Sequence, residues 1–320
     1  RRRHPAPVPR GGGAAIGVAF LVTSALVIGR VGMSALDADN PDAAVLLRGL
    51  LFGGLLAVAL GWIDDLKDLG PRGQLAGQLA LAGVAISHRL WLQVFANPLS
   101  GGIVDLRRSL GAEAGLVAVV VLTVVWYSGF INTVNWLDGV DGLAATVGAT
   151  AAALFAAHMV SAFGQAELAL FPAALAGACL GFLPWNVPRA RVFLGSSGTT
   201  FLGFTLAGLA LVAPAKVATA LLVMSVPIVD VAWQILYRAR RGQAPWIGDR
   251  GHLHHRLYDR GWSPARVVAL YAGLSAALGG GAVVLPQAMG HRGQIKLAAL
   301  ALVALAAFAG LWSLTQDEDR

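Results

Sequence analysis

Asp64 and Asp65 stand side by side at the end of an apolar run, and Asp68 follows one helical turn later. On a helix, residues 64 and 68 are neighbours at i, i+4, and 65 and 68 at i, i+3. Carboxylates this close repel one another unless a cation binds or one of them is protonated. Mg²⁺ suits such a place, because it takes oxygen ligands and often uses one or two carboxylates together with substrate phosphates. The bland alternative is a solvated loop balanced by Lys67 and Arg72. Against it, three carboxylates at a membrane surface are costly to place without use.

Further along, residues 132–142 pack two Asn (Asn132, Asn135), two Asp (Asp138, Asp141) and two Gly (Gly139, Gly142) into eleven positions. Asn and Asp supply donors and acceptors that can read a base or a sugar, and glycine lets the backbone bend and come close. Taken alone, the stretch also reads as an Asn/Asp/Gly turn. A third cluster holds His252, His254 and His255 between Arg250 and Arg256. Its i, i+2, i+3 spacing does not put all three histidines on one helix face, and no cysteine supports a structural zinc site. A phosphate- or diphosphate-binding loop fits better, since His and Arg donate to phosphate oxygens, Arg often bidentately. Asp230, within Pro227-Ile228-Val229-Asp230, lies deep in an apolar run and so is either functional or a helix–helix hydrogen bond. Arg48 lies in an apolar run too, with no evident partner, and Cys179 reads as a small buried hydrophobe.

These clusters must be positioned by apolar helices. Of 320 residues, 57% are hydrophobic and 13% charged, against about 25% charged in soluble domains. Mean hydropathy is +0.67. The chain reads as a polytopic membrane protein, which excludes a secreted enzyme, a nucleic-acid-binding domain and a disordered tail protein. Apolar runs fall at 14–32, 44–63, 74–91, 114–131, 143–163, 167–185, 199–214, 217–237, 265–287 and 294–314. Each approaches the length needed to cross about 30 Å of hydrocarbon. No run alternates at period two, which argues against a β-barrel. The fold expected is all-α, a bundle of about ten transmembrane helices forming one integral membrane domain over 1–320. Residues 1–13 form an arm, and 238–264 form a loop that carries the histidines.

With ten spans, parity puts 1–13, 64–73, 132–142, 186–198, 238–264 and the C-terminal tail on one face. That face holds Arg1, Arg2, Arg3, Arg10, Lys67, Arg72, Arg189, Arg191 and the arginines of 238–264. The other holds Arg107, Arg108, Lys216 and Arg292, with Asp37, Asp39 and Asp42. Cytoplasmic loops are rich in Lys and Arg, so the first face is expected in the cytoplasm. The net charge of +7 reads as the same bias. The first face also gathers Asp64–Asp68, Asn132–Gly142, Gly195-Ser196-Ser197-Gly198 and His252–His255.

This ordered set resembles the polyprenyl-phosphate N-acetylhexosamine-1-phosphate transferase family, which starts O-antigen, common antigen and teichoic acid and makes peptidoglycan lipid I. Arg10-Gly11-Gly12-Gly13 is similar to the family's first cytoplasmic loop, and Asp64-Asp65 to its acidic pair. Asn132 to Ala144 is similar to its Asn-x-x-Asn-x-x-Asp-Gly-x-Asp-Gly-Leu-Ala pattern, and Gly181-Phe182-Leu183 with Asn186 to the approach to its third motif. Pro227 to Asp230 and Asp249 to Leu257 resemble the last two, with His-Leu-His-His as in the teichoic-acid and common-antigen branch. The family has one further span before the Arg-Gly-Gly loop. With Arg1 in place of Met, the chain reads either as starting late or as a ten-span variant.

The resemblance implies transfer of N-acetylhexosamine-1-phosphate from a UDP-sugar, UDP-GlcNAc above all, to undecaprenyl phosphate, with release of UMP. It implies Mg²⁺ or Mn²⁺ as cofactor, a homodimer surrounded by membrane lipid, no nucleic-acid partner, and a place in the bacterial inner membrane with the active site facing the cytoplasm. By the same carry-over, Asp64, Asp65 and Asp68 are catalytic, with Asp65 also beside the metal. Asn132, Asn135, Asp138, Asp141 and Asn186 hold the nucleotide sugar, with Phe193 against the uracil. His252, His254, His255 and Arg256 bind the diphosphate and sugar. One position departs. The family's third motif is Gly-Asp-x-Gly, whose Asp binds the metal, and here Ser196 stands in its place. The intact surroundings read as a deliberate inactivating substitution; the other reading is a natural variant that recruits a different ligand. The competing classes are a Mg-dependent intramembrane prenyltransferase and a non-catalytic lipid-phosphate binding or transport protein. The first leaves the histidine and Asn-rich clusters unexplained, and the second lacks an internal repeat.

Overall fold

The computed structural model describes residues 8–96, 102–212, 217–243, 251–289 and 292–316. Arg1, Arg2, Arg3, Lys216, Asp249 and Arg250, cited above for charge or motif, lie outside the described residues. The described residues are mostly helical, at 82%. In order come α1 (Gly12–Val31), α2 (Met33–Asp39), α3 (Ala43–Lys67), α4 (Gly70–Ser87), β1 (Val94–Ala96), β2 (Ile103–Asp105), α5 (Leu106–Leu110) and α6 (Ala112–Leu137). Then follow α7 (Leu143–Phe163), α8 (Ala166–Asn186), α9 (Gly195–Leu211), α10 (Val217–Val223), α11 (Ser225–Arg240), α12 (Leu253–Asp259), α13 (Pro264–Met289) and α14 (Arg292–Gln316).

Among the described residues, the ten apolar runs fall mainly on helices; 74–91 outruns α4 by four residues and 217–237 is divided between α10 and α11. Six helices among the described residues are long and apolar enough to cross a membrane: α1, α3, α6, α7, α8 and Pro264–Leu285 of α13. α10 and α11 make a seventh if the pair is one span; they meet at 77°. Pro227 accounts for the break, because its ring would clash with the carbonyl four residues earlier, at Val223, if the helix ran through. α4 falls short through polar residues, with Arg72, Gln74 and Gln78 in its first half. α9 is short, 17 residues, and opens on Gly-Ser-Ser-Gly-Thr-Thr.

α9 is the centre of the packing, buried along nearly its whole length between α1, α3 and α6. Phe20 of α1 meets Phe201 edge-on with ring centroids 5.7 Å apart. The α6 indole Trp126 Nε1 donates to Ala207 O at 3.1 Å. At the start of α9 the backbones come closer still. A Cβ on Gly13 would lie 1.9 Å from Gly198 N, and one on Gly61 would lie 2.3 Å from Ser196 O. Only glycine at 13 and 61 permits α1 and α3 to meet α9 there. At the opposite end lies the one short hairpin among the described residues, β1 against β2 with Phe95 opposite Val104. The sequence reading holds no strand there; three residues a side are too few to show an alternating pattern.

Candidate active site

The first turn of α9 is where the separated motifs meet. Its leading N–H groups have no partner within the helix, and two carboxylates from other helices take them. Asp65, near the end of α3, accepts Ser196 N at 2.8 Å on Oδ1 and Ser197 N at 2.9 Å on Oδ2. Asp138, just past α6, accepts the Gly195 N–H. Negative charge is favoured at a helix N-terminus. Gly195 has φ +73, and a Cβ on it would lie 2.7 Å from Asp65 Oδ2, so the position needs glycine twice over.

Asp64 and Asp65 are neighbours in sequence with different partners in space. Asp64 accepts Leu69 N at 3.0 Å and Gln74 Nε2 at 3.2 Å. Asp68 is exposed, closes α3 in a left-handed turn (φ 52), and donates its N–H to Asp64 O. The structure thus brings Asp65 to Asp138 and ties Asp64 into the turn that leads to α4.

In the Asn/Asp cluster, Asn132 forms a reciprocal amide pair with the buried Gln78 of α4, at 2.9 and 3.3 Å. Asn135 accepts Thr199 Oγ1 at 3.3 Å, and Asp141 accepts Ala190 N at 3.1 Å. Asn186 is buried; it accepts Gly142 N at 3.2 Å and donates to Val192 O at 3.0 Å. Its amide therefore braces the 187–194 loop against the Gly142 turn. Phe193, half-buried in that loop, has its backbone held on both sides, its N–H by Pro9 O and its carbonyl by Gly12 N.

The histidine loop is held from beneath by Asp230, which accepts Leu253 N at 2.9 Å and lies 3.2 Å from His252 Nδ1. The loop covers Gly139, where a Cβ would lie 2.8 Å from His254 Nε2 and 2.9 Å from His255 Cε1. His252 also stacks near Trp136, with ring centroids 5.5 Å apart. Burial holds His254 well below the usual imidazole pKa, and the neighbouring His255 and His252 add to this. Arg256 is largely buried and spends Nε on Gly251 O at 2.6 Å; the buried Gln234 donates to the same carbonyl. Sequence reasoning missed Gln78, Gln234 and Trp136, and it used the buried Arg238, which lies over the Trp136 ring, only as a loop charge. For Gln78 and Gln234 the available signal was a polar side chain inside an apolar run.

With this geometry in place, the relatives are decisive. Residues 47–213 match the model of glycosyl transferase family 4. A decaprenyl-phosphate N-acetylglucosaminephosphotransferase of Mycolicibacterium smegmatis is 34% identical over 296 residues, covering 83% of this chain and 69% of that protein. The chain belongs to glycosyl transferase family 4. A probable undecaprenyl-phosphate N-acetylglucosaminyl 1-phosphate transferase of Bacillus subtilis is 29% identical over 269 residues, covering 82% of the chain and 69% of the relative. A phospho-N-acetylmuramoyl-pentapeptide-transferase of Granulibacter bethesdensis is 31% identical over 252 residues, covering 70% and 66%. The matched family 4 region contains Asp64 through Ser196; the histidine loop lies beyond it and the Arg-Gly-Gly strap before it.

The charge of the family 4 site is unbalanced. Burial pushes the Asp138 carboxyl up to about 7; the Gly195 N–H opposes this, the Asp65 and Asp141 charges add to it, and Arg10 opposes it. A cation among these oxygens would relieve the repulsion. Among the described residues no three His, Cys, Asp or Glu side chains form a metal-holding group. Two carboxylates at the head of α9 fit a cation shared with substrate phosphates rather than an all-protein cage.

A pH dependence follows. A carboxyl whose folded pKa lies above its unfolded value of 3.8 stabilises the fold below that value, and the stabilisation is lost as pH rises through the folded pKa. In metal-free buffer the melting temperature is expected to fall between pH 4 and pH 7. Asp138→Asn is expected to flatten that slope; a slope unchanged in Asp138→Asn would refute the assignment.

Proposed function

We propose that this family 4 chain transfers N-acetylhexosamine-1-phosphate from a UDP-sugar, UDP-GlcNAc above all, to undecaprenyl phosphate. In this reaction an oxygen of the lipid phosphate attacks the sugar-side phosphorus of the donor, the diphosphate P–O bond breaks, and UMP leaves. The observation that carries this reading is the convergence of four segments far apart in sequence at the head of α9. Asp65 holds Ser196 and Ser197, Asp138 holds Gly195, and the histidine loop covers Gly139. The named activities of the relatives support it.

Phosphoryl transfer is mainly positioning and charge stabilisation. In the proposed arrangement Asp64 activates the lipid phosphate, Asn135, Asp138 and Asp141 hold the nucleotide, Phe193 lies against the uracil, and the histidine loop takes the diphosphate and sugar. Asn132 and Asn186 shape the site through their pairs with Gln78, Gly142 and Val192. Mg²⁺ or Mn²⁺ would be held by Asp65 and Asp138, next to Ser196, and would supply Lewis-acid stabilisation of phosphate charge. Ser196, a neutral hydroxyl where the family pattern has a carboxylate, would leave turnover slow. Membranes carrying the Ser196→Asp variant, supplied with undecaprenyl phosphate and a panel of labelled UDP-sugars, test the reading. Label from UDP-GlcNAc should enter the lipid phase, and no transfer from any UDP-hexosamine would refute it.

The site end is proposed to face the cytoplasm of the bacterial inner membrane, with all ten apolar runs crossing. In a Cys179→Ala background, Lys67→Cys and Arg189→Cys should resist a membrane-impermeant thiol reagent added to intact cells, and Arg108→Cys should react. Labelling of position 67 or 189 from outside would overturn the orientation.

A further inference from the structure

The segment before α1 carries a cation to the edge of the acidic cluster. Residues 9–13 run alongside Phe193 and Leu194, tied by Phe193 N to Pro9 O at 2.9 Å, Gly12 N to Phe193 O at 3.0 Å and Gly13 N to Leu194 O at 2.9 Å. The three glycines fix this seat. Gly11 has φ +105, which an L side chain rarely adopts. A Cβ on Gly12 would lie 2.3 Å from the Phe182 ring, and one on Gly13 would meet the Gly198 backbone. The strap therefore holds Arg10 at one place, beside Asp138, where its charge is felt by that carboxyl. The Arg10 side chain is exposed, and nothing among the described residues hydrogen-bonds its guanidinium.

Some other groups at this end already have partners. A helix N-terminus is ordinarily a phosphate site, but the first N–H groups of α9 are already taken by Asp65 and Asp138. His254 is buried, and Arg256 spends Nε on Gly251 O while its Nη1 has no partner among the described residues. A dianionic group entering beside two carboxylates needs compensating positive charge, and the exposed Arg10 can add to what the histidine loop offers. A guanidinium presents paired N–H groups that match phosphate oxygens.

We propose that Arg10, held by the glycine strap, binds the diphosphate of the nucleotide-sugar donor. The inference rests on the functional reading above. It makes the strap a diphosphate-recognition element outside residues 47–213, the stretch that matches the family model.

Calorimetric titration of the purified full chain in magnesium buffer tests it, with UDP and uridine as probes. Arg10→Ala should weaken UDP binding about 10- to 100-fold while uridine binding changes by less than about twofold. Arg10→Lys should recover part of the UDP affinity, since it keeps the charge without the fork. Equal UDP affinity for the chain and Arg10→Ala would overturn the inference. Equal losses for UDP and uridine would also overturn it, because they would mean that the strap only shapes the site. A folded chain that binds no UDP at all would sink the functional reading, and this inference with it.

Discussion

Ser196→Asp is expected to raise the rate of UMP formation about 1,000-fold over the chain as it stands. Residue 196 sits between two carboxylates: Asp65 accepts its own N–H, and Asp138 accepts the N–H before it. A serine hydroxyl is a poor ligand for a hard divalent cation, whereas a third carboxylate adds a charged oxygen donor. Restoring about 4 kcal/mol of transition-state stabilisation corresponds to about a thousandfold in rate. The same substitution puts a further negative charge beside groups that already repel. The variant should therefore melt lower than the chain in chelator and be raised more by Mg²⁺. UDP affinity should change little, since Asn135 and Asp141 have partners of their own in Thr199 and Ala190. Equal turnover by both proteins would show that another residue carries the metal.

In that Ser196→Asp background, Asp64→Asn and Asp65→Asn should each slow transfer at least about 100-fold, and their stabilities should differ. Asn at 64 keeps an amide oxygen for Leu69 N, one of the two bonds Asp64 now accepts. Its melting temperature should barely move. Asn at 65 leaves one acceptor for two N–H groups, Ser196 and Ser197, and removes the charge from the head of α9. Loss of such a cap costs about 0.5–2 kcal/mol, so this variant should melt measurably lower. Near-normal turnover in both would refute the role of the pair. Equal melting temperatures would refute the capping role of Asp65.

Much of this was legible in the sequence because it depends on long patterns. Apolar runs of some twenty residues have one good solution in lipid, a helix, and the described parts of the runs are mainly helical. Loop parity then gathers Asp64–Asp68, Asn132–Gly142, Ser196 and His252–His255 at one end, which is where Asp65 meets Ser197 and His254 meets Gly139. What escaped depends on contacts between distant residues. The Asn132–Gln78 pair joins positions 54 apart, and nothing local marks Gln78 as its partner. Asp230 read as either functional or a helix–helix bond; it instead holds the loop at His252 and Leu253. The different partners of Asp64 and Asp65 turn on which side of α3 faces α9, which apolar flanks do not reveal. Arg10 read as one more cytoplasmic charge, because only the zipper to Phe193 and Leu194 places it beside Asp138.

The identity of the uridine co-product tests the proposed reaction most directly. Ser196→Asp membranes given UDP-GlcNAc and undecaprenyl phosphate are expected to release UMP, in amounts equal to the lipid-linked sugar formed and only when both substrates are present. Release of UDP would mean that the sugar moves without its phosphate. That result would contradict sugar-1-phosphate transfer at the head of α9.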